Sequence, residues 1–349
     1  MSATFRRAVA AAATFAAVLF LSGFAPTEPT DADIKAALDS AYAKVLMAKG
    51  GKNADYIPAL AKVDPSIFGI ALVTADGRIF TKGDVKSEVS IQSISKVFTL
   101  ALVIKQSGAQ AVEDNIGVDA TGQAFNSIVA IEQNKGQEIN PLVNPGAIAT
   151  TGMVKGDGRQ AIWSSILGYY SDFAGRPLSV NAEVYKSESE TNQRNQAIAS
   201  LMYAYGRIKD NPARATSIYT EQCAVSVNAK DLAVMAATLA NGGVNPVTGK
   251  VVMKAEDVPE VLAVMATAGL YDDSGKWLYR TGLPAKSGVG GGIIAIAPGK
   301  FGIASISPPL DAAGNSFKAQ LAIADIDKTL KANPYSATPV PRAGYGGMK

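Results

Sequence analysis

The sequence predicts an α+β fold in which one antiparallel sheet is flanked by terminal helices and carries an inserted helical domain. Three observations predict it. β-rich runs occur early (68–81) and late (292–297 and 301–306), and the long stretch between them, from about 109 to 265, is mostly of helical pattern broken by Gly, Pro and Asn. Amphipathic helical patterns bracket the whole.

Taken in order, Thr30 and Asp31 offer capping oxygens, and Ile34, Leu38, Ala41, Val45 and Leu46 repeat at helical spacing until Gly50-Gly51 ends the run. The run FGIALVTADGRIFT (68–81) reads as two strands around Asp76-Gly77, a strong hairpin signal. A helix is expected from near Ser93 through Val97, Leu100, Ala101 and Ile104 to Ser107-Gly108. Late in the chain, GIIAIA and FGIASI are joined by Pro298-Gly299-Lys300, and a last amphipathic helix spans roughly 316–332. The Pro- and Gly-rich tail 333–349 reads as a loose end. The sheet-forming lobe is assigned to about 30–92 and 266–332, the helical lobe to about 93–265, and both to one catalytic domain, 26–332. A cleft between two such lobes is a usual place for a small-molecule site.

Residues 1–25 stand apart. Arg6 and Arg7 precede an apolar run from Ala8 to Leu21 and a small-residue end, Ser22-Gly23-Phe24-Ala25. This matches a secretory signal peptide and is shorter than the roughly 20 residues of a comfortable membrane span. The expectation is a periplasmic or secreted protein with no membrane span once the leader is removed.

Composition removes whole classes of chemistry. The chain has 349 residues, 48% hydrophobic and 18% charged, with a net charge of +3, no run of basic residues, no histidine and one cysteine. Nucleic-acid binding is not indicated. Without His there is no Ser-His-Asp triad, no Cys-His pair and no imidazole metal site, and a single Cys makes no internal disulfide. Cys223 has no imidazole to activate it and is read as a buried structural thiol. No cofactor fingerprint is visible. Catalysis must rest on Ser, Thr, Lys, Tyr, Asp or Glu.

Ser93-Ile94-Ser95-Lys96 is an S-x-x-K at a helix start. Residues three apart share a helix face, and a serine hydroxyl needs a base to take its proton. A lysine whose pKa is lowered by burial can be that base, and a helix N-terminus favours a developing oxyanion. Alone, the motif suits a capping serine and a surface lysine equally well. The second piece is Lys286-Ser287-Gly288-Val289-Gly290-Gly291-Gly292, leading into a strand. A K-[ST]-G strand beside an S-x-x-K serine is the pattern of β-lactamases and penicillin-binding proteins. Its glycines let backbone approach substrate closely, and a strand N–H there can complete an oxyanion hole. The bland alternatives are a flexible glycine loop and a surface charge at Lys286.

The segments SIQSISKVFTLAL (90–102), FNSIV (125–129), NPLVNPGAI (140–148), SESETNQRN (187–195), MAATLANGGVNPVTG (235–249), GLYDDSG (269–275), GLPAKSGVGGG (282–292) and SPPLDAAGNS (307–316) resemble the glutaminase family, whose fold is β-lactamase-like. The resemblance runs from about 30 to 330 and implies hydrolysis of L-glutamine to L-glutamate and ammonia, with no cofactor. It implies Ser93 as nucleophile, Lys96 as its base and Tyr271 assisting proton transfer. It also implies a pocket lined by Tyr56, Asn144, Glu188, Asn195 and Tyr219, with Glu188 facing the α-ammonium and Val289 giving an oxyanion-hole N–H. Pro145 stands where many relatives carry a small residue, which bears on the placement of Asn144. A leader is unusual for a family often found in the cytosol or mitochondria. Family behaviour implies a homodimer or homotetramer. The competing readings are a β-lactamase or peptidoglycan-trimming peptidase of the cell envelope, and a periplasmic amino-acid-binding protein without catalysis.

Overall fold

A computed structural model describes residues 28–337 except Glu138; the leader 1–25 and the end of the Pro/Gly-rich tail lie outside them. In chain order the helices are α1 (Asp31–Leu46), α2 (Pro58–Ala61), α3 (Ser95–Ser107), α4 (Ala109–Asn115), α5 (Ile128–Asn134), α6 (Asn144–Gly152) and α7 (Gly158–Ala174). They continue with α8 (Ala182–Thr191), α9 (Gln193–Ala204), α10 (Pro212–Cys223), α11 (Ala229–Ala240), α12 (Val258–Ala268), α13 (Ser274–Thr281) and α14 (Phe317–Leu330). The strands are β1 (Gly69–Thr74), β2 (Ile79–Gly83), β3 (Val89–Ser90), β4 (Ser226–Val227), β5 (Ala285–Gly288), β6 (Gly292–Ala297) and β7 (Phe301–Ile306).

Five strands form one antiparallel sheet in the order β2-β1-β7-β6-β5. The chain therefore leaves the sheet after β2, builds the helices, and returns at β5 on the opposite edge. A second ribbon, β3 with β4, ties the start of the helical excursion to its middle through Val89–Val227 and Ser90–Ser226. This is the α+β arrangement expected, with the 76–77 hairpin joining β1 and β2.

Each face of the sheet supports a separate core. On one side Ile70, Leu72, Ile293, Ala295 and Ile303 pack against Ile34, Leu38 and Ala41 of α1 and Ala322, Ile323 and Ile326 of α14. α1 begins where Thr30 and Asp33 close a capping box, so two donors that the helix would leave free are satisfied. Its stripe is narrower than the spacing implied, because Leu46 at the last turn is 41% exposed. On the other side Ala71, Val73, Ile294, Ile296 and Ala304 face α11 and, through it, the helical lobe. α11 can lie flat on the sheet because it carries Ala233, Ala236, Ala237 and Ala240. A Cβ on Gly302 of β7 would sit 2.1 Å from Ala237 N, so only glycine permits this separation.

The helix expected from Ser93 begins two residues later. Gln92 has φ +48°, Gln92–Ile94 form a 3₁₀ turn, and the α-helix starts at Ser95. A non-glycine residue in that region of φ breaks helical propagation. Side chains three apart still eclipse in a 3₁₀ turn, so Ser93 and Lys96 keep one face.

Candidate active site

One cleft of about 280 Å³ opens between the helical lobe and the β5 edge of the sheet. Ser93, Tyr56, Asn144, Glu188, Asn195, Tyr219 and Val289 all line it. Lys96 and Tyr271 stand behind its wall, 1% and 6% exposed. Residues from seven separated stretches of chain thus meet at one place.

Ser93 sits on the 3₁₀ turn with its neighbours packed in the core, 7% exposed itself. Lys96 lies in the first turn of α3, with its stem wholly buried. Its Nζ donates to Asn144 Oδ1 at 2.7 Å and to Leu142 O at 3.3 Å. Among the described residues it makes no hydrogen bond to Ser93 Oγ; Asn144 holds the amine in this resting arrangement. A neutral amine has two N–H groups and one lone pair. With two acceptors engaged, the lone pair is the part left free. Burial lowers the Lys96 pKa to about 8, with Cys223 and Glu188 opposing the shift.

Asn144 is the junction of the site. Its Oδ1 also accepts from Tyr219 Oη at 3.2 Å, and its Nδ2 donates to Asn195 Oδ1 at 3.0 Å. Pro145 does not disturb this. Asn144 opens α6 and Pro145 occupies the first turn, where no intrahelical partner exists for the missing N–H. The Asn144 backbone N–H donates instead outside the helix, to Phe125 O at 2.7 Å.

Glu188 is the cleft's buried carboxyl, 6% exposed near the end of α8. Burial pushes its pKa up to about 7, while a hydrogen bond from Gln92 and the nearby Lys96 pull it down. Gln92 Nε2 donates to Glu188 Oε2 at 3.1 Å and to Ser90 Oγ at 3.3 Å. Tyr56, by contrast, is 54% exposed and stands at the rim.

Tyr271 also has a positive φ, +55°, at the start of a 3₁₀ turn. Its ring lies between Phe125, at 4.8 Å between centroids, and Lys286 Nζ, 4.1 Å from its own centroid. The hydroxyl faces those of Ser93 and Ser287, yet none is aligned as a hydrogen bond among the described residues. Burial pushes the phenol pKa up to about 12, the two serine hydroxyls opposing. The group is a proton donor at neutral pH.

The Lys286–Gly290 segment runs against the nucleophile turn. A Cβ on Gly290 would fall 2.2 Å from Ser90 O, and one on Gly288 2.7 Å from Ile91 O. These glycines are what bring Val289 to the same cleft as Ser93. Lys286 is not a surface charge. It is wholly buried, with Nζ donating to Gly269 O at 2.9 Å and Ser287 O at 2.8 Å. Burial, reinforced by Lys96, holds its pKa well below the usual lysine range. Cys223 ends α10 with 1% exposure, and burial pushes its thiol well above the usual range. It stays protonated, as a structural thiol should.

Sequence reasoning missed Gln92, Phe125, Asn126 and Arg194, which also line the cleft. The first stands one residue from Ser93 and the last one residue from Asn195. Nothing in composition or spacing distinguishes them from ordinary polar neighbours. No cluster of three or more His, Cys, Asp or Glu side chains among the described residues could hold a metal ion.

The family model for glutaminases matches residues 51–335. A glutaminase from Colwellia psychrerythraea is 56% identical over 308 residues, covering 88% of this chain and 98% of the relative. A glutaminase from Mycobacterium ulcerans is 51% identical over 307 residues, 88% and 96%. Among solved structures, a probable glutaminase superposes with a TM-score of 0.87 at 45% identity, covering 88% of this chain and all of the other. Mglu in its glutamate form gives 0.82 at 37% identity, covering 86% and 69%.

The Glu188 geometry has a measurable consequence for stability. Its folded pKa of about 7 lies above the ordinary 4.5, so the folded chain holds this proton more tightly than the unfolded chain does. The stability this gives is complete below about 4.5 and is lost as pH rises through about 7. The loss is on the order of 3 kcal/mol. Glu188→Gln removes the titration, so it should gain stability relative to the parent between pH 5 and pH 8 in urea melts without ligand. An equal difference at both pH values would contradict the burial effect.

Proposed function

The chain belongs to the glutaminase family, and we propose how its cleft hydrolyses L-glutamine to L-glutamate and ammonia. Ser93 Oγ attacks the γ-carboxamide carbon as Lys96 Nζ takes its proton. The N–H groups of Ser93 and Val289 receive the tetrahedral oxyanion. The C–N bond breaks as the proton taken by Lys96 passes, with Tyr271 assisting, to the leaving nitrogen, which departs as ammonia. A water then attacks the γ-glutamyl ester, giving a proton to Lys96, which passes it to Ser93 Oγ as the ester C–O bond breaks; glutamate leaves with the serine hydroxyl and the neutral amine restored. No metal or cofactor enters any step.

The observation that carries these roles is the bond between Lys96 Nζ and Asn144 Oδ1, 2.7 Å inside a buried wall of the Ser93 cleft. It supports an amine able to run uncharged beside the serine. The remaining groups fit the rest of the substrate. Glu188 takes the α-ammonium, and Tyr56, Asn144, Asn195 and Tyr219 supply neutral polar atoms for the backbone end. Leaving such partners empty costs about 1–3 kcal/mol each, which supports selection for a free amino acid.

We also propose export to the periplasm or beyond, supported by the leader-like residues 1–25, and a homodimer or homotetramer, supported by the family resemblance alone. No helix among the described residues is long and apolar enough to cross a membrane. A mature N-terminus found near residue 26 by mass spectrometry, and a mass of two or four chains by light scattering, are the expected results; an intact Met1 or a monomer would contradict them.

Purified enzyme should release ammonia from L-glutamine, and Ser93→Ala and Lys96→Ala should each lower kcat by roughly a thousand-fold or more. Lys96 must lose its proton to act, so kcat/KM should rise with pH through an inflection near 8. A flat profile from pH 6 to 9, or wild-type rates in either variant, would overturn the mechanism. Covalent labelling of Ser93 by a fluorescent penicillin without ammonia release would instead favour an envelope peptidase.

A further inference from the structure

Of the residues lining the cleft, two are of formally charged type, Glu188 and Arg194. They are arranged at different depths: Glu188 is 6% exposed, and Arg194 is exposed in the first turn of α9. Its guanidinium is fixed across the mouth, with Nε donating to Asn126 O at 3.0 Å on the facing segment. No ion pair among the described residues uses Arg194. Its two terminal nitrogens therefore carry an uncompensated positive charge at the opening.

We propose that Arg194 reads the α-carboxylate of the substrate and so selects free α-amino acids over those with a blocked carboxyl. The inference rests on the glutamine-hydrolase reading and names a further residue within it. A zwitterion lying with its amide carbon at Ser93 has two charged groups to satisfy. The inner anion, Glu188, suits the ammonium, and the outer cation suits the carboxylate. The neutral hydroxyls and amides nearby accept or donate hydrogen bonds, yet they do not distinguish a carboxylate from a carboxamide by charge. A guanidinium does, with a planar pair of donors matched to two carboxylate oxygens. The Nε bond to Asn126 leaves that outer edge free and limits its motion.

The test compares L-glutamine with L-glutamine α-amide, which keeps the side-chain amide and the α-ammonium and lacks the α-carboxylate. Side-chain turnover is read as free glutamate from the first substrate and isoglutamine from the second. In the full enzyme, Arg194→Gln should raise KM for L-glutamine while leaving its kcat within about two-fold. The ratio of kcat/KM for glutamine over its α-amide should fall roughly three- to five-fold, as suits an exposed charge contact. Arg194→Lys, which keeps the charge and loses the planar fork, should retain part of that ratio. If Arg194 merely held the rim through Asn126, both substrates would suffer equally and the ratio would not move, which would overturn the proposal. Failure of the parent enzyme to hydrolyse glutamine would overturn the hydrolase reading, and this inference with it.

Discussion

The Lys96 ammonium cannot stay comfortably charged where the fold puts it, and the rest of the site depends on that constraint. Its stem is buried, its Nζ lies over the Tyr219 ring of α10, and its end meets one amide oxygen and one carbonyl, with no carboxylate paired to it among the described residues. A carboxylate in the place of Asn144 would hold the proton on. A neutral acceptor fixes the amine without charging it. Lowering the pKa to about 8 raises the neutral fraction near pH 7.5 from about one in a thousand to about one in four. In a chain without histidine, this is how a base near neutrality is made from the residues at hand.

The fold brings that amine up behind the cleft lined by Val289, the proposed oxyanion-hole donor, which comes from elsewhere in the chain. Ser93, Lys96, Asn144, Glu188 and Tyr219 ride on the helical excursion between β3 and β5, while Tyr271 and Val289 come from its return to the sheet. The β3–β4 ribbon and the glycines at 288 and 290 join the two sides over the nucleophile turn. α11, pressed onto β7 at Gly302, keeps the helical lobe from sliding on the sheet. Strain is concentrated beside the chemistry. Gln92 and Tyr271 are two of four non-glycine residues among those described with positive φ, and each costs on the order of 1–3 kcal/mol unless its surroundings enforce it.

The sheet was legible in the sequence because its signals are local. The Asp76-Gly77 turn, the two late apolar runs and the Thr30 cap each declare themselves within a few residues. Strand order was less accessible, since the β1–β7 pairing joins residues more than 200 positions apart. The S-x-x-K and K-S-G motifs pointed to the right elements, although spacing alone could not separate them from a capping serine and a surface lysine. Lys96 and Lys286 are buried, which removes the surface-lysine alternative, and burial is a tertiary property with no local signature. α3 begins two residues after Ser93 because a 3₁₀ turn, opened by the positive φ at Gln92, precedes it, and that backbone conformation has no local signature in a glutamine. Gln92 and Arg194 escaped for the same reason. Each has meaning only once Glu188 or Asn126, distant in sequence, is beside it.

A pocket for a zwitterion has to satisfy both charges and still leave the reacting amide unhindered. Here the carboxyl lies inside and the guanidinium outside, and the amine proposed as base has its pKa brought down toward neutrality behind the cleft wall. A direct titration of that amine tests the central claim. In enzyme carrying ¹³Cε-labelled lysine, the Lys96 resonance, assigned by its loss in Lys96→Ala, should titrate near 8, and Asn144→Asp should move the midpoint upward. A Lys96 midpoint at the ordinary lysine value of 10.5, unmoved by Asn144→Asp, would contradict it.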